Sequence, residues 1–321
     1  MSLNAIDRRH FFAVSATAAA ALLAACSSAT SPEDEGGDSR TITHALGTTT
    51  LTKKPERVLV TTDFVDLDYV LGLGVTPVAY GATGSWDRGE LPWQAEATEG
   101  VPSFESGVDL NLETISSFEP DLIVGMKTYL EPLADQLNQI APVVALDWST
   151  TWRDGVEIIG QATYTDSAAS IGETEQLIAA TAAELGGLDG KTIMIGSYFD
   201  SVLYVQGDLS APGVLLGELG LAYRGYDDTQ MASLSLENVD VLGPADILLS
   251  FATDPAATAT LEQFPVFRAL PAVQARAYAP LDKVLGSAFS DNFSPLSAQF
   301  TLSGLSEVLQ TLASGQGVTI T

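Results

Sequence analysis

VDLNLETISSFEPDLIVG, at residues 108–125, and ASLSLENVDVLGPADILLS, at residues 232–250, share one pattern. In each, a Leu-Glu pair (112–113 and 236–237) opens a helical segment that runs into a proline, an aspartate and a short apolar strand. The stretches before them, YVLGLGVTPVAYG and VLLGELGLAYRGY, are also alike. A pattern that occurs twice in the same order predicts two similar lobes.

Short apolar runs rich in valine, isoleucine and leucine recur along the chain. They are RVLVTT (57–62), PVAYG (77–81), DLIVGM (121–126), PVVALDW (142–148), TIMIGSY (192–198) and DILLSF (246–251). Each is too short for a helix and lacks polar alternation, so we predict strands buried on both faces of a parallel sheet. Helical patterns such as DFVDLDYVLGLG lie between them, and this alternation is typical of the α/β class with Rossmann-like lobes.

One long helical pattern, YTDSAASIGETEQLIAATAAELGG at residues 164–187, separates the two halves. It has a capping candidate at Thr165 or Asp166, strong helix formers, and a Gly-Gly stop. A single helix can join two lobes stiffly. We therefore predict an N-terminal lobe at 51–163, a connecting helix at 164–187 and a C-terminal lobe at 188–321.

The N-terminal stretch RRHFFAVSATAAAALLAAC indicates export. Its uncharged part is about 15 residues long, short of the roughly 20 that cross a bilayer, and its three regions are those of a secretory signal peptide at residues 1–25. The ending LAAC resembles a bacterial lipobox, which predicts lipidation of Cys26 and an anchor on the outer face of the cell membrane. Arg8-Arg9 with Phe11-Phe12 resembles a twin-arginine export signal. A soluble secreted protein and an uncleaved anchor are the alternatives.

Residues 26–50 contain small, polar and acidic side chains with little to bury, and we predict a flexible acidic tether there. The chain has 14 Lys+Arg against 41 Asp+Glu, a formal net charge of -27, which argues against nucleic-acid binding. Its two histidines are His10 and His44. Ser-His-Asp catalysis, Cys-His catalysis and multi-histidine metal sites therefore lack their imidazoles. We expect no enzyme and no cofactor.

From Pro55 to about Leu312 the order and spacing of the motifs resemble the substrate-binding proteins of iron-siderophore, haem and cobalamin ABC importers. The resemblance rests on the repeated stretches and on PERVLV, WRDGVEIIGQAT, FRALPAVQARAYAPLD and SPLSAQFTLSGLSEVL. It implies a class III periplasmic-binding-protein fold, a ligand cleft between the lobes, and a monomer that delivers a chelate to a permease and its ATPase. It also implies that Glu113 and Glu237 dock on the permease. A helix-dipole role is the local alternative for both.

Ligands of open parallel sheets lie beyond the carboxyl ends of the strands. The candidates that follow the predicted strands are Phe64, Trp86, Arg88, Trp93, Lys127, Tyr129, Trp148, Trp152, Arg153, Tyr198, Arg224, Tyr226 and Asn292. Their aromatic rings offer flat contact area to an organic chelate, and their cations can bind chelate oxygens. Packing between helix and sheet is the alternative for each aromatic. We expect the loop from Gly81 to Gly107 to set selectivity.

The sequence thus predicts a lipid-anchored ferric-siderophore receptor, in which the siderophore and not the protein holds the iron. The modest number of cleft cations favours a hydroxamate or mixed-ligand chelate over a tris-catecholate. Haem or cobalamin is the nearest alternative, and haem would need Tyr129, Tyr198 or Tyr226 as an axial ligand. An exported enzyme using carboxylates such as Asp87 and Asp200, or a structural surface protein, is more distant.

Overall fold

The apolar runs of the sequence form two separate sheets. The computed structural model describes residues 39–87, 91–107, 109–188, 190–251, 254–291 and 293–320. The strands are β1 Arg40–His44, β2 Gly47–Leu51, β3 Val58–Val60, β4 Ala79–Ala82, β5 Ser103–Glu105, β6 Leu122–Met126, β7 Val143–Leu146, β8 Thr192–Phe199, β9 Val202–Gln206, β10 Ala222–Tyr223, β11 Met231–Leu234, β12 Ile247–Phe251 and β13 Tyr278–Leu281. The six predicted runs correspond to β3, β4, β6, β7, β8 and β12.

The helices cover both sheets. They are α1 Val65–Gly72, α2 Pro92–Ala95, α3 Leu112–Ser117, α4 Lys127–Leu130, α5 Ala134–Leu137, α6 Trp152–Thr163, α7 Ala168–Glu184, α8 Ala211–Glu218, α9 Pro255–Gln263, α10 Pro265–Arg268, α11 Pro271–Gln274, α12 Lys283–Ser290 and α13 Ala298–Ala313, with 3-10 turns at Glu131–Leu133, Gly186–Leu188 and Leu236–Leu242. Within the described part of the chain, no helix is long and apolar enough to cross a membrane.

The N-terminal sheet has the order β5-β4-β3-β6-β7, and all its pairings are parallel. Strands β3, β6 and β7 are buried along their whole length. They lack polar alternation because helices cover both faces of a sheet of this kind. The prediction of buried parallel strands therefore holds for this lobe.

The C-terminal sheet is mixed, with the order β11-β9-β8-β12-β13 and β10 beside the start of β8. Strands β10, β12 and β13 run parallel to their partners, whereas β9 pairs antiparallel with both β8 and β11. The β8–β9 hairpin turns at Asp200 and Ser201, whose φ angles are 49° and 65°. Two successive positive φ values suit a tight hairpin between right-twisted strands. We predicted parallel sheets in both lobes, and for the C-terminal lobe this is corrected to a mixed sheet in which β9 is antiparallel to its neighbours.

Residues 40–51 form a hairpin, where the sequence predicted part of the tether. Strands β1 and β2 pair antiparallel, and Ile42 and Leu51 are buried in the core. His44 Nδ1 accepts hydrogen bonds from two backbone N–H groups, those of Leu46 and Ala145, so Nε2 carries the proton toward Thr49 Oγ1. The folded body therefore begins about ten residues before the predicted position.

The helix between the lobes is shorter than predicted. Helix α6 ends at Thr163, and the next residue, Tyr164, adopts the left-handed conformation with a φ of 57°. Helix α7 starts at Ala168, whose N–H binds the Asp166 carboxylate at 3.0 Å. Its 17 residues span about 25 Å, and it packs against α8 and α13. A continuous helix thus joins the two lobes, over 168–184 instead of 164–187.

Candidate ligand-binding site

A cavity of about 540 Å³ lies between the lobes. It is lined by Val65, Tyr69, Asp147, Trp148, Ser149, Thr150, Thr151, Trp152, Arg153, Leu209, Ser210, Ala211, Val214, Leu215, Glu218, Gln230, Met231, Ser290, Asp291 and Phe293. The volume is within the range of small-molecule sites. The N-terminal wall comes from α1 and the segment after β7, as expected at the carboxyl end of a parallel strand.

The C-terminal wall is built differently from the prediction. It comes from the loop after β9, the exposed face of α8, the start of β11 and the end of α12. Because β9 runs antiparallel to β8, the residues that follow it lie away from the carboxyl edge of β8. On α8, Ala211, Val214, Leu215 and Glu218 follow the i, i+3, i+4, i+7 spacing of one helix face, so one face of this helix lines the cavity.

An aromatic cluster continues the N-terminal wall. Trp148 is 39% exposed and lines the cavity. The Phe64 ring meets it edge-on at 5.5 Å and stacks with Tyr129 at 6.3 Å. The structure therefore brings three predicted residues into contact, of which Trp148 lines the cavity and Phe64 and Tyr129 do not. Burial raises the pKa of Tyr129.

Arg153 lies inside the cavity but is already paired. Its Nε is 2.8 Å from Glu175 and its Nη1 is 2.5 Å from Glu218. The guanidinium carbon lies 4.3 Å from the centre of the Trp152 ring, and Trp152 Nε1 donates to Glu218 at 3.3 Å. Arg153 and Trp152 therefore join α6 to α7 and α8, and two carboxylates offset the positive charge.

The C-terminal wall exposes apolar side chains. Leu209, Val214 and Met231 are 61%, 41% and 46% exposed, respectively, and all three line the cavity. The loop that carries Leu209 is held by backbone hydrogen bonds, including Leu209 N to Thr229 O at 3.0 Å. At Gly207 a Cβ would lie 2.0 Å from Thr229 O, so only glycine allows this close approach. The apolar surface is thus presented by a well-supported loop.

Two further carboxylates line the cavity. Asp147 accepts hydrogen bonds from the Ser149 N–H and hydroxyl, which lower its pKa, and Lys127 Nζ lies 3.9 Å away. Asp291 is an exposed residue of the cavity lining, and desolvation by the neighbouring protein atoms raises the pKa of its carboxyl group. The Ser290 hydroxyl donates to Asp291 at 2.8 Å.

Two predicted residues of the long loop lie outside the cavity lining. Trp93 Nε1 donates to the buried carboxylate of Asp68 at 2.9 Å, and its ring packs on Phe300 at 5.2 Å. The Trp86 ring lies under Lys283, whose Nζ is 4.2 Å from the ring centre. Trp86 also borders a second cavity of about 50 Å³ beside Asp63.

The remaining predicted residues are dispersed. Tyr198 is part of β8 and pairs with Leu203 of β9. Arg224 and Tyr226 are exposed outside the cavity lining. Arg88, Asn292 and Cys26 fall outside the described residues. Ligand contact by each member of the predicted set stays a prediction.

Asp68 is a buried residue that the sequence analysis did not single out. It accepts hydrogen bonds from Trp93, from Gln94 Nε2 at 2.7 Å and from the Ser294 hydroxyl at 3.1 Å. Burial raises its pKa to about 8, against the opposing effect of these donors. The sequence carried one signal for a buried carboxylate here, namely the three aspartates of DFVDLD inside an otherwise apolar helical pattern.

Glu113 and Glu237 occupy equivalent places in the two lobes. Glu113 is exposed in the first turn of α3, which Asn111 caps by accepting from the Glu113 and Thr114 N–H groups. Glu237 is exposed in the first turn of the 3-10 segment Leu236–Leu242. Each segment leads into an interior strand of its sheet, β6 or β12, and a helix that precedes a parallel strand is expected to begin toward the carboxyl edge of the sheet.

Residues 58–284 match the family model described as periplasmic binding protein, and the chain belongs to that family. The chain is 26% identical to the iron uptake ABC transporter substrate-binding protein PiaA of Streptococcus pneumoniae, with a TM-score of 0.72 over 86% of this chain and 100% of that chain. This likeness confirms the predicted class III fold. The family and such neighbours are substrate-binding proteins and not enzymes.

Two curated bacterial proteins are similar in sequence. The chain is 30% identical over 199 residues to the probable siderophore-binding lipoprotein YfiY of Bacillus subtilis, and the match covers 60% of each chain. It is 26% identical over 232 residues to the Fe(3+)-citrate-binding protein YfmC of the same organism, covering 68% of this chain and 71% of that protein.

Proposed function

We propose that this chain is the substrate-binding component of an ABC importer and captures a ferric siderophore in the cavity between its lobes. The observation that carries the proposal is the cavity of about 540 Å³ with Trp148 on one wall and Leu209, Val214 and Met231 on the other. Such a lining suits a bulky organic chelate, because aromatic and aliphatic surfaces gain from its burial. Two similar proteins, a probable siderophore-binding lipoprotein and an iron uptake substrate-binding protein, support the same substrate class.

Iron would arrive already wrapped in its chelator. Among the residues that the structure describes, no group of three or more His, Cys, Asp or Glu side chains could hold a metal ion. The siderophore would therefore supply the iron ligands, and the protein would contact the organic shell. The chain needs no cofactor of its own for this role and acts by binding, without catalysing a reaction.

The position of the chain in the cell follows from its N-terminal stretch. A lipid on Cys26 would anchor it to the outer face of the membrane, after export by the twin-arginine route. Glu113 and Glu237, exposed at corresponding places of the two lobes, would each meet a cation on the permease. Exposed charge pairs add modest affinity but fix orientation.

Tryptophan fluorescence tests the proposed function. Titration of the full-length chain with ferric hydroxamate, ferric citrate and ferric catecholate chelates should give saturable quenching with at least one of them, and haemin should give no Soret shift. Absence of saturable quenching with all three, or a Soret shift with haemin alone, would contradict the proposal.

Substitution of two equally exposed valines tests where the chelate binds. Val214 and Val266 are both 41% exposed on helices, but of the two only Val214 lines the cavity. Val214→Asn should weaken chelate binding by about threefold to tenfold, because a polar group replaces apolar contact. Val266→Asn should leave binding unchanged. Equal effects of the two substitutions would place the site elsewhere.

A further inference from the structure

The cavity carries more negative than positive charge. Its described lining contains three acidic residues, Asp147, Glu218 and Asp291, and one basic residue, Arg153. Arg153 is held between Glu175 and Glu218 at 2.8 Å and 2.5 Å. Its charge is therefore balanced within the protein. An anionic ligand would therefore lie close to carboxylates, and this lining has no unpaired cation to balance its charge. Repulsion between like charges at close range weakens binding.

The three carboxylates are not equivalent. Glu218 is occupied by Arg153, and Asp147 has Lys127 at 3.9 Å together with two hydrogen bonds from Ser149. No lysine or arginine of the described chain forms an ion pair with Asp291, which accepts a hydrogen bond from the adjacent Ser290. Asp291 is thus the lining carboxylate with the most capacity to accept a donor from the ligand.

The apolar wall restricts the ligand in a second way. Leu209, Val214 and Met231 offer aliphatic surface, and Trp148 faces the cavity from the other lobe. Methylene chains gain free energy when they are buried against such surfaces. Linear hydroxamate siderophores contain methylene chains between their chelating groups, whereas citrate is small and carboxylate-rich, and tris-catecholate chelates carry several negative charges.

We propose that the cavity takes a ferric trihydroxamate that carries a protonated amine, and that Asp291 is the residue that accepts this ammonium group. The inference rests on the proposed function and narrows its substrate class. Three hydroxamates neutralise Fe(III), so a free protonated amine leaves the complex cationic. The methylene chains would lie on the wall formed by Leu209, Val214 and Met231, and the ammonium group would reach Asp291.

Two ferric chelates that differ by one charge provide the test. Ferric desferrioxamine B has a free protonated amine, and its N-acetyl derivative is neutral with the same iron-binding groups. At low ionic strength the full-length chain should bind the cationic form about twofold to fivefold more tightly, as expected for an ion pair with an exposed carboxylate. Ferric citrate and a ferric tris-catecholate should bind more weakly than either.

Substitution of Asp291 tests its assignment. Asp291→Asn should abolish the difference in affinity between the cationic and neutral forms, whereas Asp135→Asn, which removes an exposed carboxylate outside the cavity, should preserve it. The ratio of two affinities measured on one preparation does not depend on the fraction of folded protein. A ratio that Asp291→Asn leaves unchanged would overturn the role of Asp291.

The remaining outcomes separate this inference from the proposed function. If ferric citrate or the ferric tris-catecholate binds as tightly as the cationic hydroxamate, the proposed preference for a cationic trihydroxamate is wrong. The proposed function as a ferric-siderophore receptor would still hold in that case. If none of the four chelates binds, the proposed function itself fails.

Discussion

Buried carboxylates link segments that lie far apart in the sequence. Asp68 receives hydrogen bonds from the long loop through Trp93 and Gln94, and from Ser294 next to α13. Burying a carboxyl group is costly unless donors compensate for the lost water, and three donors do so here. Trp93 therefore contributes to the junction between the lobes.

The neighbouring Asp66 predicts a dependence of stability on pH. Burial raises its pKa to about 7, whereas an unfolded aspartate titrates near about 4. Between these pH values the native chain holds a proton that the unfolded chain has released. The free energy of unfolding should therefore fall as pH rises through this window, by up to about 1.4 kcal/mol per pH unit.

Asp66→Asn removes this titration, and urea unfolding at several pH values between 4 and 8 measures the result. The variant should show a smaller decline in stability with rising pH than the wild type. Asp135→Asn, at an exposed position, should keep the wild-type slope. Parallel wild-type and Asp66→Asn curves would show that Asp66 titrates normally.

At the residue scale, the predicted residues that line the cavity are those that follow the end of one strand, and their contact with a ligand stays a prediction. Trp148, Trp152 and Arg153 come soon after β7, and their position beside the cavity follows from that. The partner of Trp93 lies 25 residues earlier in the chain, and no local pattern shows such a pairing. Glu218, the single charge within VLLGELGL, carried a local signal, but only the packed structure reveals that its partner is Arg153.

At the scale of elements, the loop at residues 207–210 supports one wall of the cavity. Gly207→Ala would bring a Cβ within 2.0 Å of Thr229 O, and the backbone would have to move. We expect a loss of stability of about 1–3 kcal/mol, as for other overpacked sites, together with weaker chelate binding because Leu209 shifts. Thermal unfolding and fluorescence titration measure the two effects.

Gly217→Ala is the matched control, since Gly217 lies within α8 and a Cβ there meets no atom within 4 Å. Alanine is a better helix former than glycine, so this variant should gain about 0.5–1 kcal/mol. A similar loss of stability in Gly207→Ala and Gly217→Ala would show that the close contact between Gly207 and Thr229 does not explain the effect.

The cap of α3 offers a test of the docking segment. Asn111→Ala removes the acceptor for the Glu113 and Thr114 N–H groups and should lower the free energy of unfolding by about 1 kcal/mol. Asn238→Ala, which removes a single long contact of 3.4 Å, should change it by less than about 0.5 kcal/mol. Urea unfolding measures the stability of both variants. An Asn111→Ala variant as stable as the wild type would contradict the stabilising role of the Asn111 cap.

Elements buried on both sides were the ones the sequence could predict. Strands β6 and β12 appear within a residue of their predicted bounds, because a continuous apolar run has few alternatives in an α/β chain. The hairpin at 40–51 was missed, since it buries little beyond Ile42 and Leu51 and half of its other positions are threonine. Strands β9 and β11 were missed because burial alternates along both of them, so neither forms a continuous apolar run.

At the scale of the molecule, several contacts join the lobes beside the cavity. Trp152 meets Phe293 edge-on at 6.0 Å, and Lys283 Nζ donates to the Ser85 carbonyl at 2.7 Å. Helix α7, packed on α8 and α13, adds a stiff connection. We predict that ligand binding rotates the lobes by only a few degrees. Crystals grown with and without a ferric chelate measure the rotation, and a rotation of tens of degrees would contradict this prediction.

The position of iron in a complex tests the central claim most directly. Crystals of the full-length chain with a ferric hydroxamate, measured at the iron absorption edge, give an anomalous difference map with one peak per bound iron. Our account predicts a single peak inside the cavity between Trp148 and Met231, with no protein atom as an iron ligand. A peak coordinated by protein carboxylates or tyrosines, or one outside this cavity, would contradict it.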